Sequence, residues 1–369
     1  MDVNALPWVF IGPLWVQMYL SRMEDVFSSP KVLALRDEVL ASRHVAITAH
    51  RSPDGDAVGS SLALQHLLCS LGVKSTVVLP DAYAAFLHWM PGHEGVVLHE
   101  QEPERSEQII HESEVVFCLD FNALSRAGHM AGILEAACAS STRVVMVDHH
   151  QEPEAFADLM CSDPQAGSTA ELVYRLMCAW GEEHRLTQEM ASCLYCGLMT
   201  DTGSFRFPSV TPGTHRMAAS LLATGMDHSR VHSLVYDTNR LDQVQLTAFA
   251  LSQKLRVYGP HRTAVISLSL DELARFNAQK GDTEGLVNRA LSIEGVNLAV
   301  FVKEDVGRVK MSFRSRGAFS VRDVAAEHFH GGGHHNAAGG ACEGESLDDV
   351  LARLDSLIPQ WSHLLQYDD

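Results

Sequence analysis

Three short apolar runs, each stopping on an acid or a histidine, constrain this chain more than any other feature. HVAITA runs into His50, VVFCL ends in Asp120, and RVVMV ends in Asp148, His149 and His150. Runs that are apolar, β-branched and bounded by turns or charge read as strands buried on both faces. VKSTVVL is a fourth such run, and Ala57 to Leu71 and Ser168 to Trp180 are apolar at helical spacing. Strand and helix alternating in this way predict a doubly wound, mainly parallel α/β sheet. In an open sheet of that kind, ligands bind outside the carboxyl ends of the strands. Acids and imidazoles from separate strands therefore converge on one rim, joined by Asp54 and Asp56 of the loop HRSPDGDAVGSS.

Carboxylates crowded at one rim repel each other and raise each other's pKa. Divalent cations remove that penalty, and mixed Asp/His ligation without cysteine suits manganese, iron or zinc better than calcium. Two ions roughly 3.5–4 Å apart can activate a water and clamp a phosphoryl oxygen. Each piece has a plain reading when taken alone. Asp54-Gly55 is an ordinary turn, a His-His pair is surface structure, and Asp201 is a cap before the Thr202-Gly203 turn. Their joint placement at strand ends favours the metal site.

A chain of 369 residues has room for two domains with separate cores. Helical patterning runs from Gln188 to about Arg256, and a polar helix near Asn239 to Lys254 carries the chain into a second unit. There RTAVISLSL, VNLAVFVKE and RVKMSFRS read as strands, with helices at Asp271 to Asn277, Val321 to His328 and Ser346 to Leu357. The expected division is an N-terminal extension over 1–30, a catalytic domain over 31–235, a linker helix over 236–255 and a smaller α/β domain over 256–369. A cleft between the domains is the expected place for a ligand.

The formal net charge of −18 disfavours a protein that tracks long nucleic acid, because phosphate contacts need a basic field. It suits a small anionic substrate drawn in by metal ions and a few arginines. The eight cysteines are scattered and several sit in apolar runs, which reads as free thiol in a reducing, cytoplasmic setting. Cys193 and Cys196 form a lone CxxC, short of the four ligands a structural zinc needs. The apolar opening MDVNALPWVFIGPLWVQMYLSRM has no basic leader and is broken by Pro7, Gly12 and Pro13. It reads as neither signal peptide nor membrane span.

HRSPDGDAVGS, the Asp120 strand, VDHH and LMTDTGSFRF resemble, in order, the four motifs of the DHH phosphoesterase superfamily. SFRSRG and GGGHHNAAGG resemble the DHH-associated domain that follows them. The resemblance spans roughly residues 40–360 and is most similar to the nanoRNase and pAp-phosphatase (bifunctional oligoribonuclease) branch. It implies one metal held by His50, Asp54 and Asp120, and a second held by Asp56, Asp120, His149 and Asp201, with Asp120 bridging. The implied cofactors are two divalent ions, of which Mn2+ is expected. His150 would contact the scissile phosphate or assist the leaving oxygen, with Asp148 behind the histidines fixing their tautomer. Arg314 and Arg316, with Ser315 between them, would bind phosphate. Gly332 and Gly333 would let backbone N–H groups approach an anion, and His334 would add a polar contact.

The expected function is hydrolysis of very short oligonucleotides, such as pApA, to mononucleotides, and of pAp to AMP, by a dimetal-activated hydroxide. The rival readings are a cyclic-di-AMP phosphodiesterase, a RecJ-like single-strand exonuclease, a manganese pyrophosphatase and a non-catalytic nucleotide sensor. Expected partners are short oligonucleotides or small nucleotides, without long nucleic acid or membrane; the apolar content is compatible with a homodimer.

Overall fold

The computed structural model describes residues 26–366, and the N-terminal extension up to position 25 lies outside them. The chain forms two compact units, dividing between Val235 and Tyr236.

The first unit carries β1 (Val45–Ala49), β2 (Ser75–Leu79), β3 (Val97–Leu98), β4 (Val115–Leu119), β5 (Arg143–Asp148) and β6 (Leu159–Ser162). They make one sheet in the order β3-β2-β1-β4-β5-β6, parallel at every pairing. All five residues of β1 and of β4 are buried. Such strands have no face to offer water, so the chain must cross over through covering segments, as parallel sheets require. The strand order reverses between β1 and β4. Connections leaving the carboxyl ends of these two strands diverge, which opens the crevice where doubly wound sheets bind ligands. His50 and Asp120 are the first residues beyond those two ends.

The helix Gly55–Ser70 packs on the helix Gln188–Asp201 at backbone distance. A Cβ on Gly59 would lie 2.5 Å from the Cys193 carbonyl oxygen, and one on Gly55 would lie 2.5 Å from Thr200 Oγ1. Cys193 and Cys196 are buried in this contact, and burial pushes both thiols up. The CxxC spacing is therefore a packing feature of this helix pair.

The second unit carries β7 (Leu255–Tyr258), β8 (Thr263–Leu268), β9 (Leu298–Asp305), β10 (Arg308–Ser315), β11 (Gly332–His334) and β12 (Ala337–Glu343). Their order is β11-β12-β10-β9-β8-β7. Only β8 and β9 run parallel; the other pairings are antiparallel. Residues of β10 alternate half-buried and buried, so one face of the sheet packs on a core around Phe313, Phe329 and Trp361. The three runs read as strands are β8, β9 and β10. The helix expected near Asn239 to Lys254 is Leu241–Phe249, continued by a π-helical turn, Ala250–Lys254. The observed class is the expected one, a largely parallel α/β unit followed by a smaller α/β unit. Among the described residues, no helix is long and apolar enough to cross a membrane.

Candidate metal centre

The rim at the β1/β4 reversal gathers two groups of side chains. In the first, His50, Asp54 and Asp120 present ligand atoms within 4.8 Å of one another. His50 Nε2 lies 3.3 Å from Asp120 Oδ2 and 3.8 Å from Asp54 Oδ2. Its Nδ1 is 2.8 Å from the Arg51 carbonyl, which fixes the ring and leaves Nε2 facing the carboxylates. Asp54 caps the helix Gly55–Ser70, its Oδ1 accepting from the N–H groups of Asp56 (3.0 Å) and Ala57 (3.1 Å). Capping occupies one oxygen and turns the other toward His50.

The second group is Asp56, His149 and Asp201, again within 4.8 Å. His149 Nε2 lies 3.2 Å from Asp201 Oδ2 and 3.9 Å from Asp56 Oδ2. Asp56 is 1% exposed. Its oxygens accept from the first two N–H groups of the helix Thr169–Ala179, at 2.6 Å from Thr169 and 2.9 Å from Ala170. A carboxylate suits a helix N-terminus, where free N–H groups and the dipole favour negative charge.

Asp120 joins the groups. Its Oδ2 faces His50, and its Oδ1 lies 3.5 Å from His149 Nε2. The residue has φ +64°, a left-handed conformation unusual outside glycine, and its N–H donates to the Val147 carbonyl at 3.0 Å. That bond ties the end of β4 to β5 and holds the strained turn in place.

Electrostatics match this crowding. Burial, then Asp120 and Asp201, push the Asp56 carboxyl well above its usual range. For Asp120 burial acts in the same direction, but His149 and His50 outweigh it and hold the carboxyl well below its usual range. His149 is raised well above the usual imidazole value, since Asp201, Asp120 and Asp56 together overcome burial. His150 moves the other way, lowered chiefly by burial. Its Nδ1 meets Asp148 Oδ1 at 2.7 Å, and its N–H donates to Asp148 Oδ2 at 3.1 Å. Asp148 therefore backs His150 alone. The ring of His149 is held instead by the Ala166 carbonyl, 3.3 Å from Nδ1.

In the second unit, register places the candidate residues. Arg314 lies opposite Ala337, which lies opposite His334, so the three form one row on one face. Ser312, Gly339 and Gly332 form the adjacent row on that same, half-exposed side. Ser315 and Gly333 fall on the other side. Ser315 is buried, donating to the Phe319 carbonyl at 2.6 Å and accepting from Asn336 Nδ2 at 2.9 Å. A Cβ on Gly333 would lie 2.6 Å from the Ala337 carbonyl, whereas Gly332 has open space. Arg316 is exposed and donates to the Leu291 carbonyl at 2.9 Å.

Residues 44–198 match the model of the DHH family, N-terminal domain, and residues 263–360 match that of the DHHA1 domain. The chain is 31% identical over 314 residues to the bifunctional oligoribonuclease and PAP phosphatase NrnA of Thermus thermophilus, covering 84% of this chain and 87% of that protein. The chain belongs to the DHH family. The NrnA of Bacillus subtilis is 27% identical, with 89% and 97% coverage. An exopolyphosphatase-related protein of Bacteroides fragilis has a similar structure, with TM-score 0.86, 37% identity, and 92% and 98% coverage.

The DHH triplet of this chain, Asp148-His149-His150, divides between a candidate ligand, His149, and a separately braced pair, Asp148 and His150. Two further parts of this DHH site escape sequence reading. Thr169 donates its hydroxyl to Asp120 Oδ1 at 2.9 Å while its N–H holds Asp56. The Ser168 cap ahead of Glu171 marks a helix start there, but nothing in the sequence says which acids that start will meet. Gly197 is the other, since a Cβ there would lie 2.7 Å from Asp56 Oδ1.

Proposed function

We propose that this chain is a metal-dependent phosphoesterase, acting in the cytoplasm, that hydrolyses very short oligonucleotides such as pApA to mononucleotides, and pAp to AMP. The observation that carries the reading is Asp120, one buried carboxylate whose two oxygens face two separate ligand groups. The relatives named oligoribonuclease and PAP phosphatase support the substrate class.

The donor set fits divalent cations. Carboxylate oxygens and imidazole nitrogens converge without a thiolate, and the buried acids carry a surplus of negative charge that cations offset. His50, Asp54 and Asp120 would hold one ion, and Asp56, His149, Asp201 and the shared Asp120 the other, with Mn2+ the expected metal. When bound, two such ions supply an acidified water and Lewis-acid stabilisation of the phosphoryl oxygens.

The remaining steps belong to side chains of the chain itself. Asp148 keeps the His150 proton on Nδ1, which leaves Nε2 to contact the phosphate or to take up a proton and hand it to the leaving oxygen. Burial disfavours the charged form of that ring. Arg314, Gly332 and His334, on one face of the second sheet, would receive the terminal phosphate and base. Arg316 would add a second guanidinium, while Ser315 and Gly333 shape the strands from the core side.

A competition assay tests the proposal. With Mn2+, equimolar pApA, pAp, cyclic di-AMP, a long single-stranded RNA and pyrophosphate are followed for cleavage. Fast loss of pApA and pAp with slow attack on the long RNA is expected. Preference for the long RNA or for pyrophosphate would overturn the reading. Mn2+ binding with no turnover of any substrate would turn the protein into a sensor.

A further inference from the structure

Arg126 is a cation kept beside a cation site. It lies in the 3-10 segment Leu124–Met130 that follows Asp120, and it is half-buried. Its carbonyl accepts from the N–H of Arg51 at 2.7 Å, which fixes it next to the residue adjoining His50. The stem of Arg51 crosses the same segment, where a Cβ on Gly128 would lie 3.3 Å from Arg51 Cβ. Two arginines are thus joined on the His50 side of the rim. Among the described residues, neither guanidinium has an acid within ion-pair distance, in a chain whose net charge is −18. Arg126 stands close enough to both His50 and His150 for its charge to reach each ring.

A guanidinium stays charged at any working pH. Beside two divalent ions it adds to the repulsion, and among the described residues no acid stands within ion-pair distance to relieve it. An anion shared between the guanidinium and the ions is attracted by each of them and so offsets that repulsion. Planar donors in a fork match the oxygens of a phosphoryl group, and the site already draws phosphate esters on the reading above.

We infer that Arg126, with Arg51 beside it, is an anion-binding pair that receives a phosphoryl group of the substrate at the His50 edge of the site. The inference rests on the proposed phosphoesterase function. It assigns to the first unit an arginine contact with substrate, distinct from the arginines of β10.

The test is calorimetric and uses the full chain loaded with Mn2+. AMP and adenosine are titrated into wild type, R126A, R126K and R51A, and Mn2+ is titrated into each metal-free protein. R126A should weaken AMP binding by about 10- to 100-fold, the range of a lost hydrogen bond to a charged group, and leave Mn2+ binding at the wild-type value. R126K should recover part of the affinity, R51A should lose less than R126A, and adenosine binding should not respond to any of the variants. Undiminished AMP affinity in R126A would overturn the inference. So would an equal loss of Mn2+ affinity, which would make Arg126 a scaffold for His50. R126Q replaces R126A if the alanine variant does not fold. Wild type that takes up Mn2+ but not AMP would overturn the phosphoesterase reading itself, and this inference with it.

Discussion

The two sheets of this chain offer side chains to a ligand in opposite ways. In β1 and β4 of the first sheet every residue is buried, so no side chain within either strand can reach a ligand. Candidate ligands are confined to where the strands stop, at His50 and Asp120. In the second sheet β10 alternates, and candidate residues sit along the strand on its half-exposed face. Strand ends are fixed by the ladder behind them, so the first arrangement gives position at the cost of tolerance. Strand faces keep their backbone whatever side chain they carry. Changes to the candidate ligands at the first rim should therefore damage metal binding and turnover together, and changes on the second face should alter substrate affinity alone.

The sharpest break of this contrast is Asp120→Asn. It keeps the shape but removes the charge that serves both ligand groups. Turnover with Mn2+ should fall by more than the roughly 10- to 100-fold typical for loss of a residue that merely supports a ligand. Near-wild-type turnover would remove the two-metal reading.

Thr169→Val tests whether the rim depends on its supports. The methyl keeps the volume, while the hydroxyl bond to Asp120 is lost and the backbone bond to Asp56 survives. Mn2+ affinity should drop by about 10-fold or more, and Thr169→Ser should restore it. Equal Mn2+ affinity in valine and wild-type proteins would show that Asp120 needs no such brace.

This second case also marks how far the sequence could be read. VAITA, VVFCL and RVVMV are legible because a strand buried on both faces must be an apolar run, and the residue that ends it stands out. The acids of the DGD loop are legible for the same reason. Thr169 is not, because its partners Asp56 and Asp120 lie 113 and 49 positions away and only the packed sheet brings them together. Gly332 and Gly333 both read as backbone that lets an anion approach, yet they lie in the short strand β11, where the Ala337 carbonyl requires Gly333 to be glycine. Two residues of one run thus have unlike reasons to be glycine, and composition alone cannot separate them. Asp148 reads as support for both histidines, but one carboxylate reaches only His150, and a backbone carbonyl from Ala166 serves the other.

Gly59→Ala probes the framework under the rim without touching any ligand. The added methyl would meet the Cys193 carbonyl, a backbone atom that cannot swing away. Overpacking of this kind costs about 1–3 kcal/mol, and each kcal/mol lowers Tm by roughly 2–4 °C in a unit of this size. A melting temperature within a degree of wild type would mean that the two helices separate freely, and that strand ends alone hold the rim.

The smallest effects should come from the second face, where neighbours in sequence should part company. Arg314 and Ser315 are adjacent, but the alternation of β10 turns one outward and the other into the core. Arg314→Ala removes a guanidinium from the half-exposed row it shares with His334 and leaves the core intact. KM for pApA should rise by about 10-fold, the size of one lost charge-assisted hydrogen bond, with kcat and Tm unchanged. Ser315→Ala leaves that row alone, takes the hydroxyl donor from the carbonyl of Phe319 and leaves the Asn336 amide with the Gly317 carbonyl as its remaining partner. It should lower Tm by a few degrees, as loss of about 1 kcal/mol does, with KM unchanged. The pair separates recognition from folding because both variants shorten side chains on one strand. If Ser315→Ala shifted KM as much as Arg314→Ala, alternation would not be what sorts these residues, and the contrast between strand ends and strand faces would fail on the second sheet.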